Sequence, residues 1–245
     1  MGLIDDNKGK VIPLLAKADP KDLAIEALRS FRTSLQFVTL DAKNNILTIM
    51  GISPSVGKSF VSSNFAYLLA EAGKKVLLID GDIRRGHLRD YFKISKLKGL
   101  SDVVVGQCSL ESVLLKGTLT ETLDFLPAGT YPPNPSELLM SHQFHELLQK
   151  VSKLYDHVII DTAPILAVTD AAIIAQQAGA NFMVVASNKH EPAEVDMALR
   201  RLQTNGVTLS GSIFNFTEQS SHIYGYHGYG YNYKYKYQYA YKYDS

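Results

Sequence analysis

The run Gly51-Ile-Ser-Pro-Ser-Val-Gly57-Lys58-Ser59 sets two glycines, a lysine and a hydroxyl between an apolar stretch and an amphipathic one. Those residue types suit a polyphosphate. Backbone N–H groups of a glycine-rich turn and of a helix N-terminus can face the phosphates, Lys58 adds a mobile positive charge, and the Ser59 hydroxyl can ligate Mg2+. The first glycine stands six residues before Gly57 rather than five, so the strict G-x-x-x-x-G-K-[ST] spacing fails at Ile52.

Three acids follow apolar runs. Val76-Leu-Leu-Ile-Asp80-Gly-Asp82-Ile-Arg84 ends in two carboxylates at i and i+2, and on an extended segment side chains two apart point the same way. Asp161 closes Val158-Ile-Ile-Asp161-Thr-Ala-Pro164, the form of a strand whose acid helps to hold Mg2+ through water. Taken singly, each has a plainer reading: a solvated turn balanced by Arg84 and Arg85, or a helix cap. Together with the phosphate loop they describe one site at the carboxyl edge of a sheet, where ligands of such folds bind.

The elements that must carry these residues alternate in kind. Apolar runs at 46–50, 76–79, 123–126, 158–160, 182–186 and 212–214 read as buried strands, and helical patterns cover 22–40, 59–72, 136–153, 170–177 and 191–205. Asp22 is placed to cap the first helix. This alternation predicts an α/β fold, a mostly parallel sheet with helices on both faces. With 245 residues, 46% of them hydrophobic and 20% charged, the chain can bury a sizeable core. Lys plus Arg number 25 against 24 Asp plus Glu, so nucleic acid is not expected as a partner. The single Cys108 fits a reducing compartment. No apolar run reaches the roughly 18 residues of a membrane span, and Met1-Gly-Leu-Ile-Asp-Asp lacks the blocks of a signal peptide. His87, His142, His145 and His157 show no metal-ligand spacing.

Composition changes near Phe216. From Tyr224 to Tyr243 half the positions are tyrosine: Tyr224, Tyr226, Tyr229, Tyr231, Tyr233, Tyr235, Tyr237, Tyr239, Tyr241 and Tyr243. With Ile223 and Ala240 its only aliphatic residues, this end is expected as a flexible tail, 217–245, behind a domain of residues 1–216. The 18 steps from Thr217 to Tyr235 would span up to roughly 60 Å if extended, enough to reach a neighbouring copy. Lys234, Lys236 and Lys242 against Glu218 and Asp244 leave the tail mildly positive, suited to an acidic, phosphate-bearing cleft. Each added phosphate brings about −1.5 to −2 and reverses that sign, so phosphorylation is expected to expel the tail.

In order and spacing, Gly51 to Ser59, Val76 to Arg84 and Val158 to Asp161 resemble the Walker A, A′ and B motifs of the bacterial tyrosine kinases of polysaccharide export, the BY-kinases. Pro132-Pro-Asn-Pro-Ser-Glu-Leu-Leu139, Ile165 to Asp170 and the tyrosine-rich end are similar to their Wzc-type members, so the resemblance covers nearly the whole chain. It implies a P-loop NTPase fold of the deviant Walker group shared with MinD and ParA, with ATP against Gly51, Ser53, Val56, Gly57, Lys58, Ser59 and Phe60, and Asn215 on adenine. It further implies Mg2+ on Ser59, Asp82 and Asp161, and transfer of phosphate to the ten tail tyrosines. A phenol has a pKa of about 10 and attacks poorly unless a carboxylate takes its proton. Asp80 is the expected base beside Asp82, although exchanging the two contradicts nothing in the sequence. Arg84 either neutralises developing charge or holds the two acids. On the first helix Glu26, Arg29 and Arg32 match an E-x-x-R-x-x-R motif that joins subunits into a closed ring, such as an octamer; spacing alone allows a solvated face with an internal Glu to Arg pair.

The resemblance also implies a place on the cytoplasmic face of the bacterial inner membrane, a membrane chain-length regulator in cis or in trans, and a cognate tyrosine phosphatase. Two other readings stay open. A MinD- or ParA-like switch ATPase would carry a signature lysine where this chain has Ser53, and a nucleotide-gated assembly module would bind ATP without spending it. Where some BY-kinases carry a regulatory tyrosine after Walker A′, this chain has His87.

Overall fold

Apolar runs of four to seven residues, bounded by turns, form six strands in a computed structural model that describes residues 14–92, 94 and 98–217. The tyrosine-rich tail, and with it all ten expected acceptor tyrosines, lies outside the described residues. Two helices come first, α1 (Leu15–Ala18) and α2 (Leu23–Val38), and Asp22 Oδ1 caps α2 by accepting from the Ala24 N–H at 2.7 Å. Then follow β1 (Ile46–Gly51), α3 (Lys58–Glu71), β2 (Val76–Asp80), a 3-10 turn (Leu88–Phe92), α4 (Leu100–Val104), α5 (Leu110–Val113) and β3 (Leu123–Leu126). The second half holds α6 (Pro135–Met140), α7 (His142–Leu154), β4 (His157–Asp161), α8 (Asp170–Gln177), β5 (Ala180–Ala186), α9 (Pro192–Thr204) and β6 (Gly211–Asn215).

The strands form one sheet in the order β3-β2-β4-β1-β5-β6, parallel throughout. Full burial of β1, β2 and β3 explains why they read as continuous apolar runs and not as alternating ones. Leu47, Ile49, Leu78, Phe125 and Phe182 pack on one face with α2 and α3. Leu77, Ile79, Val158 and Ile160 face α4 to α8 on the other, and Met50 and Met183 meet α8 and α9 there. Helix α3 lies between the sheet and α2, with every residue from Val61 to Ala70 buried.

The expected helix over 136–153 is two. Ser141 has extended backbone, ψ 154°, ends α6 and caps α7 by accepting from the Phe144 N–H at 3.3 Å. A serine that can satisfy a free helix N–H competes with helix continuation, and here it wins. The short α1, α4, α5 and the 3-10 turn carry too few periodic residues to stand out in the sequence. Among the described residues no helix is long and apolar enough to cross a membrane.

Candidate active site

Strand order puts the three expected elements side by side. β1 delivers the phosphate loop, β4 pairs with it on one side, and β2 pairs with β4, so that Asp80 and Asp161 are register partners on adjacent strands. The loop closes at Gly57, whose φ of +92° is left-handed and whose missing Cβ would fall 2.0 Å from Asn215 Nδ2. At Gly51 a Cβ would meet Val56 Cγ2 at 2.5 Å and the Lys58 stem at 2.7 Å. The glycine one position early is therefore the one that lets the loop fold back over β1.

Lys58 is 8% exposed, and burial holds its ammonium pKa below the ordinary lysine value despite the opposing pull of Asp161 and Asp82. The Ser59 hydroxyl donates to Asp161 Oδ2 at 2.6 Å and the Ser62 hydroxyl to Oδ1 at 3.1 Å. Asp161 is 3% exposed, and burial pushes its pKa up to about 6 although Lys58 and the two hydroxyls pull the other way. Ser59 and Asp161 thus offer adjoining hard oxygen donors beside a lysine at a helix N-terminus. Mg2+ takes such donors with few protein ligands, the rest of its shell being water and substrate phosphate, so this pair fits that ion.

Asp80 is 1% exposed. Its Oδ2 accepts from the Leu88 N–H at 3.1 Å and its Oδ1 from the Asp82 N–H at 3.3 Å. Burial first, then the charges of Asp161 and Asp82, raise its pKa well above the carboxylate range. Asp82 is placed otherwise. β2 ends at Asp80, yet the Gly81 N–H still donates to the Asp161 carbonyl at 2.8 Å, and the turn begins only at Asp82, whose carbonyl accepts from the Arg85 N–H at 3.1 Å. Asp82 is half-buried and accepts from the Arg85 N–H at 3.2 Å, while its charge still reaches Asp80, Asp161 and Lys58.

Arg84 does not hold the two acids. Its Nε donates to Asp170 Oδ2 at 2.6 Å and a terminal nitrogen to Asp170 Oδ1 at 3.0 Å, with a further bond to Ser136 at 3.1 Å. Of its two expected roles the structure thus removes the second, because the fully buried Asp170 at the start of α8 claims the guanidinium.

The remaining expected residues divide. Val56 is buried; Phe60 is half-buried on the first turn of α3. The Ser53 hydroxyl pairs with His190 Nε2 at 2.8 Å. Asn215 Nδ2 donates to the Val56 carbonyl at 2.9 Å and so braces the loop. On α2, Arg29 pairs with Glu26 and also donates to the Pro20 carbonyl at 2.7 Å. Arg32 turns inward to the Leu68 carbonyl of α3 at 3.2 Å. Within one copy Arg29 makes the intrahelical pair with Glu26, while Arg32 is engaged by α3 and does not lie on a solvated face.

Sequence reading missed Lys189, whose Nζ donates to the Pro54 and Ser55 carbonyls at 3.0 and 2.8 Å, and Asp170 as the partner of Arg84. Neither follows a recognisable spacing. It also missed a cavity of about 170 Å3 beside Asp80, lined in part by Arg84, Arg85, Arg89 and Tyr131. The cleft is therefore not simply acidic.

A family model described as an AAA domain matches residues 44–195. The tyrosine-protein kinase Ptk of Acinetobacter johnsonii is 47% identical over 217 residues, which cover 89% of this chain and 30% of that protein. The solved kinase domain of the Escherichia coli tyrosine kinase ETK is 40% identical with a TM-score of 0.81, covering 89% of this chain and 86% of that one. MinD of Pyrococcus horikoshii, solved with Mg-ADP, is 23% identical with a TM-score of 0.56 over 69% of this chain and 69% of that one, a likeness of fold. This chain spans about 30% of the length of the curated relatives it matches.

Proposed function

This chain belongs to the family of bacterial tyrosine-protein kinases, with a P-loop α/β fold, and on that premise we propose that it transfers the γ-phosphate of ATP to tyrosine. The observation that carries the reading is the meeting of Ser59 and Asp161 at 2.6 Å, with Lys58 beside them and Asp80 on the adjoining strand. Phosphoryl transfer asks little covalent chemistry of a protein; it asks for charge neutralisation around the γ-phosphate and an aligned nucleophile. Backbone N–H groups of the loop and Lys58 hold the phosphates. Ser59 and Asp161, with Asp82 in electrostatic reach, would hold Mg2+, which would supply positive charge against the phosphates.

Asp80 takes the phenol proton. As the phenolic oxygen bonds to the γ-phosphorus, the bond from phosphorus to the β,γ-bridging oxygen breaks; ADP leaves and the proton passes to the Asp80 carboxylate. A carboxylate whose pKa is raised by burial and neighbouring acids is a stronger proton acceptor for a phenol than an ordinary one. The acceptors are the tail tyrosines Tyr224 to Tyr243, reached from a neighbouring copy in a ring to which Glu26, Arg29 and Arg32 contribute. The setting is the inner face of a bacterial membrane, with a chain-length regulator as partner, a phosphatase as antagonist, and control of polysaccharide export as the output.

Incubation with γ-labelled ATP tests the reaction. Alkali-stable label on the tail of the wild type, absent from Lys58→Met, is the expected result. Phosphate released with no label on protein overturns the reading in favour of a switch ATPase.

A further inference from the structure

The cavity beside Asp80 lies between the turn that follows β2 and the loop after β3. Its walls include Asp80, Arg84, Arg85, Arg89, Gly129 and Tyr131. At about 170 Å3 it has the scale of the ~150 Å3 cavity that admits one benzene ring. Its charge is lopsided: three arginines against one carboxylate. Arg84 is committed to Asp170. Arg85 makes no side-chain hydrogen bond or ion pair with another described residue, and Arg89 reaches only its exposed neighbour Asp90, at 3.7 Å. Two forked cations therefore stand beside the expected base with little to hold. Arginine in that state suits a phosphate monoester, which it binds through two parallel N–H donors.

The tail supplies a matching period. From Tyr229 to Tyr243 every second residue is tyrosine. On an extended strand residues two apart share a face about 6.6 Å apart, so a tyrosine offered to Asp80 brings its i±2 neighbours to the rim of the same cavity. We propose that Arg85 and Arg89 form a phosphotyrosine-binding subsite that holds an already modified tail tyrosine while the next one is presented to Asp80. This rests on the kinase reading above and adds an order to it: the first phosphate is slow, and each one laid down recruits its neighbour.

Two tail peptides spanning residues 229–239, one unmodified and one phosphorylated only at Tyr233, test this with the full chain. In the binding arm, fluorescence anisotropy is read without ATP on the Lys58→Met protein. The phosphopeptide is expected to bind tighter by roughly tenfold, the scale of one charge-assisted hydrogen bond, and Arg85→Ala/Arg89→Ala is expected to abolish the difference. In the rate arm the otherwise wild-type chain is expected to modify Tyr231 and Tyr235 faster in the phosphopeptide, and the double variant to lose that preference while keeping its rate on the unmodified peptide. Equal affinities, weaker binding of the phosphopeptide, or a preference that survives the double substitution overturns the subsite. If the binding difference is present and depends on the arginines, but neither peptide is ever phosphorylated, the subsite stands and the kinase reading falls.

Discussion

The Arg84 guanidinium meets the Asp170 carboxylate at two points, 2.6 and 3.0 Å, where the acid is fully buried and the arginine keeps 30% side-chain exposure. The pair ties the turn after β2 to the first residue of α8, and Ser136 joins it from α6 by donating to Asp170 at 2.7 Å. It thus sets the position of the segment on which Arg85 and Arg89 stand. Removing one member of a buried pair strands the other's charge. Arg84→Ala is expected to lower stability by about 3 kcal/mol, and Arg84→Lys, which keeps charge but loses the fork, by about 1 kcal/mol. Urea denaturation checks both; values within error of wild type for the alanine variant would contradict the assignment.

Lys189 bonds the carbonyls of Pro54 and Ser55, and Ser53 pairs with His190, so the loop after β5 straps the phosphate loop. Its charge also lowers the pKa of Lys58, which places the two ammonium groups within electrostatic reach of each other. Lys189→Met is expected to weaken nucleotide binding by roughly fivefold, about 1 kcal/mol. Titration with a fluorescent ADP at matched ionic strength measures it. An unchanged affinity at low salt would remove Lys189 from the nucleotide cradle.

Asp80 and Asp82 can be told apart by rate and pH. Asp80→Asn is expected to lower kcat at least ~100-fold, the usual worth of a positioned proton acceptor. Because burial and two neighbouring acids raise its pKa, the acid limb of the wild-type pH profile is expected above the ordinary range near ~4, with activity lost as pH falls. A limb at the ordinary position, or an Asp82→Asn variant that alone loses the rate, moves the role to Asp82.

Asp161 makes the nucleotide-free protein pH-sensitive. Unfolded, its carboxyl titrates near ~3.9; folded, near about 6. Between those values the native state binds the proton more tightly, so stability is greatest on the acid side and falls as pH rises through the window. Two pKa units correspond to roughly 3 kcal/mol. Because pH 5 lies only one unit below the folded value, the change between about pH 5 and pH 7.5, measured by urea denaturation without nucleotide or Mg2+, should be smaller in Asp161→Asn than in wild type by about half of that, roughly 1.4 kcal/mol. An identical difference in both proteins would show that Asp161 does not carry it.

What could be read directly from the chain was whatever depends on near neighbours. The phosphate loop was legible because Gly57, Lys58 and Ser59 act through one turn of backbone and the helix it opens. Asp161 was legible because an acid at the end of an apolar run must emerge at the sheet's carboxyl edge. The α/β class followed from the alternation of periods, and the Asp22 cap from its place before α2. The break at Ser141 was local too, yet an unbroken helical pattern hid it.

Tertiary structure decided the choices that depend on strand order and burial. Asp80 and Asp82 are equivalent on paper; the chain's turn after β2 buries one and half-exposes the other. Asp170 is 86 positions from Arg84, Lys189 is 134 from Ser55, and Asn215 is 159 from Val56. No spacing rule reaches so far, because such contacts exist only once β2, β4, β1, β5 and β6 lie side by side. The sequence alone therefore determined which chemical groups this protein owns and on which elements they ride. The order of the sheet decided which of them meet, since short-range backbone preference acts within a few residues and the hydrophobic assembly of whole strands acts across the chain.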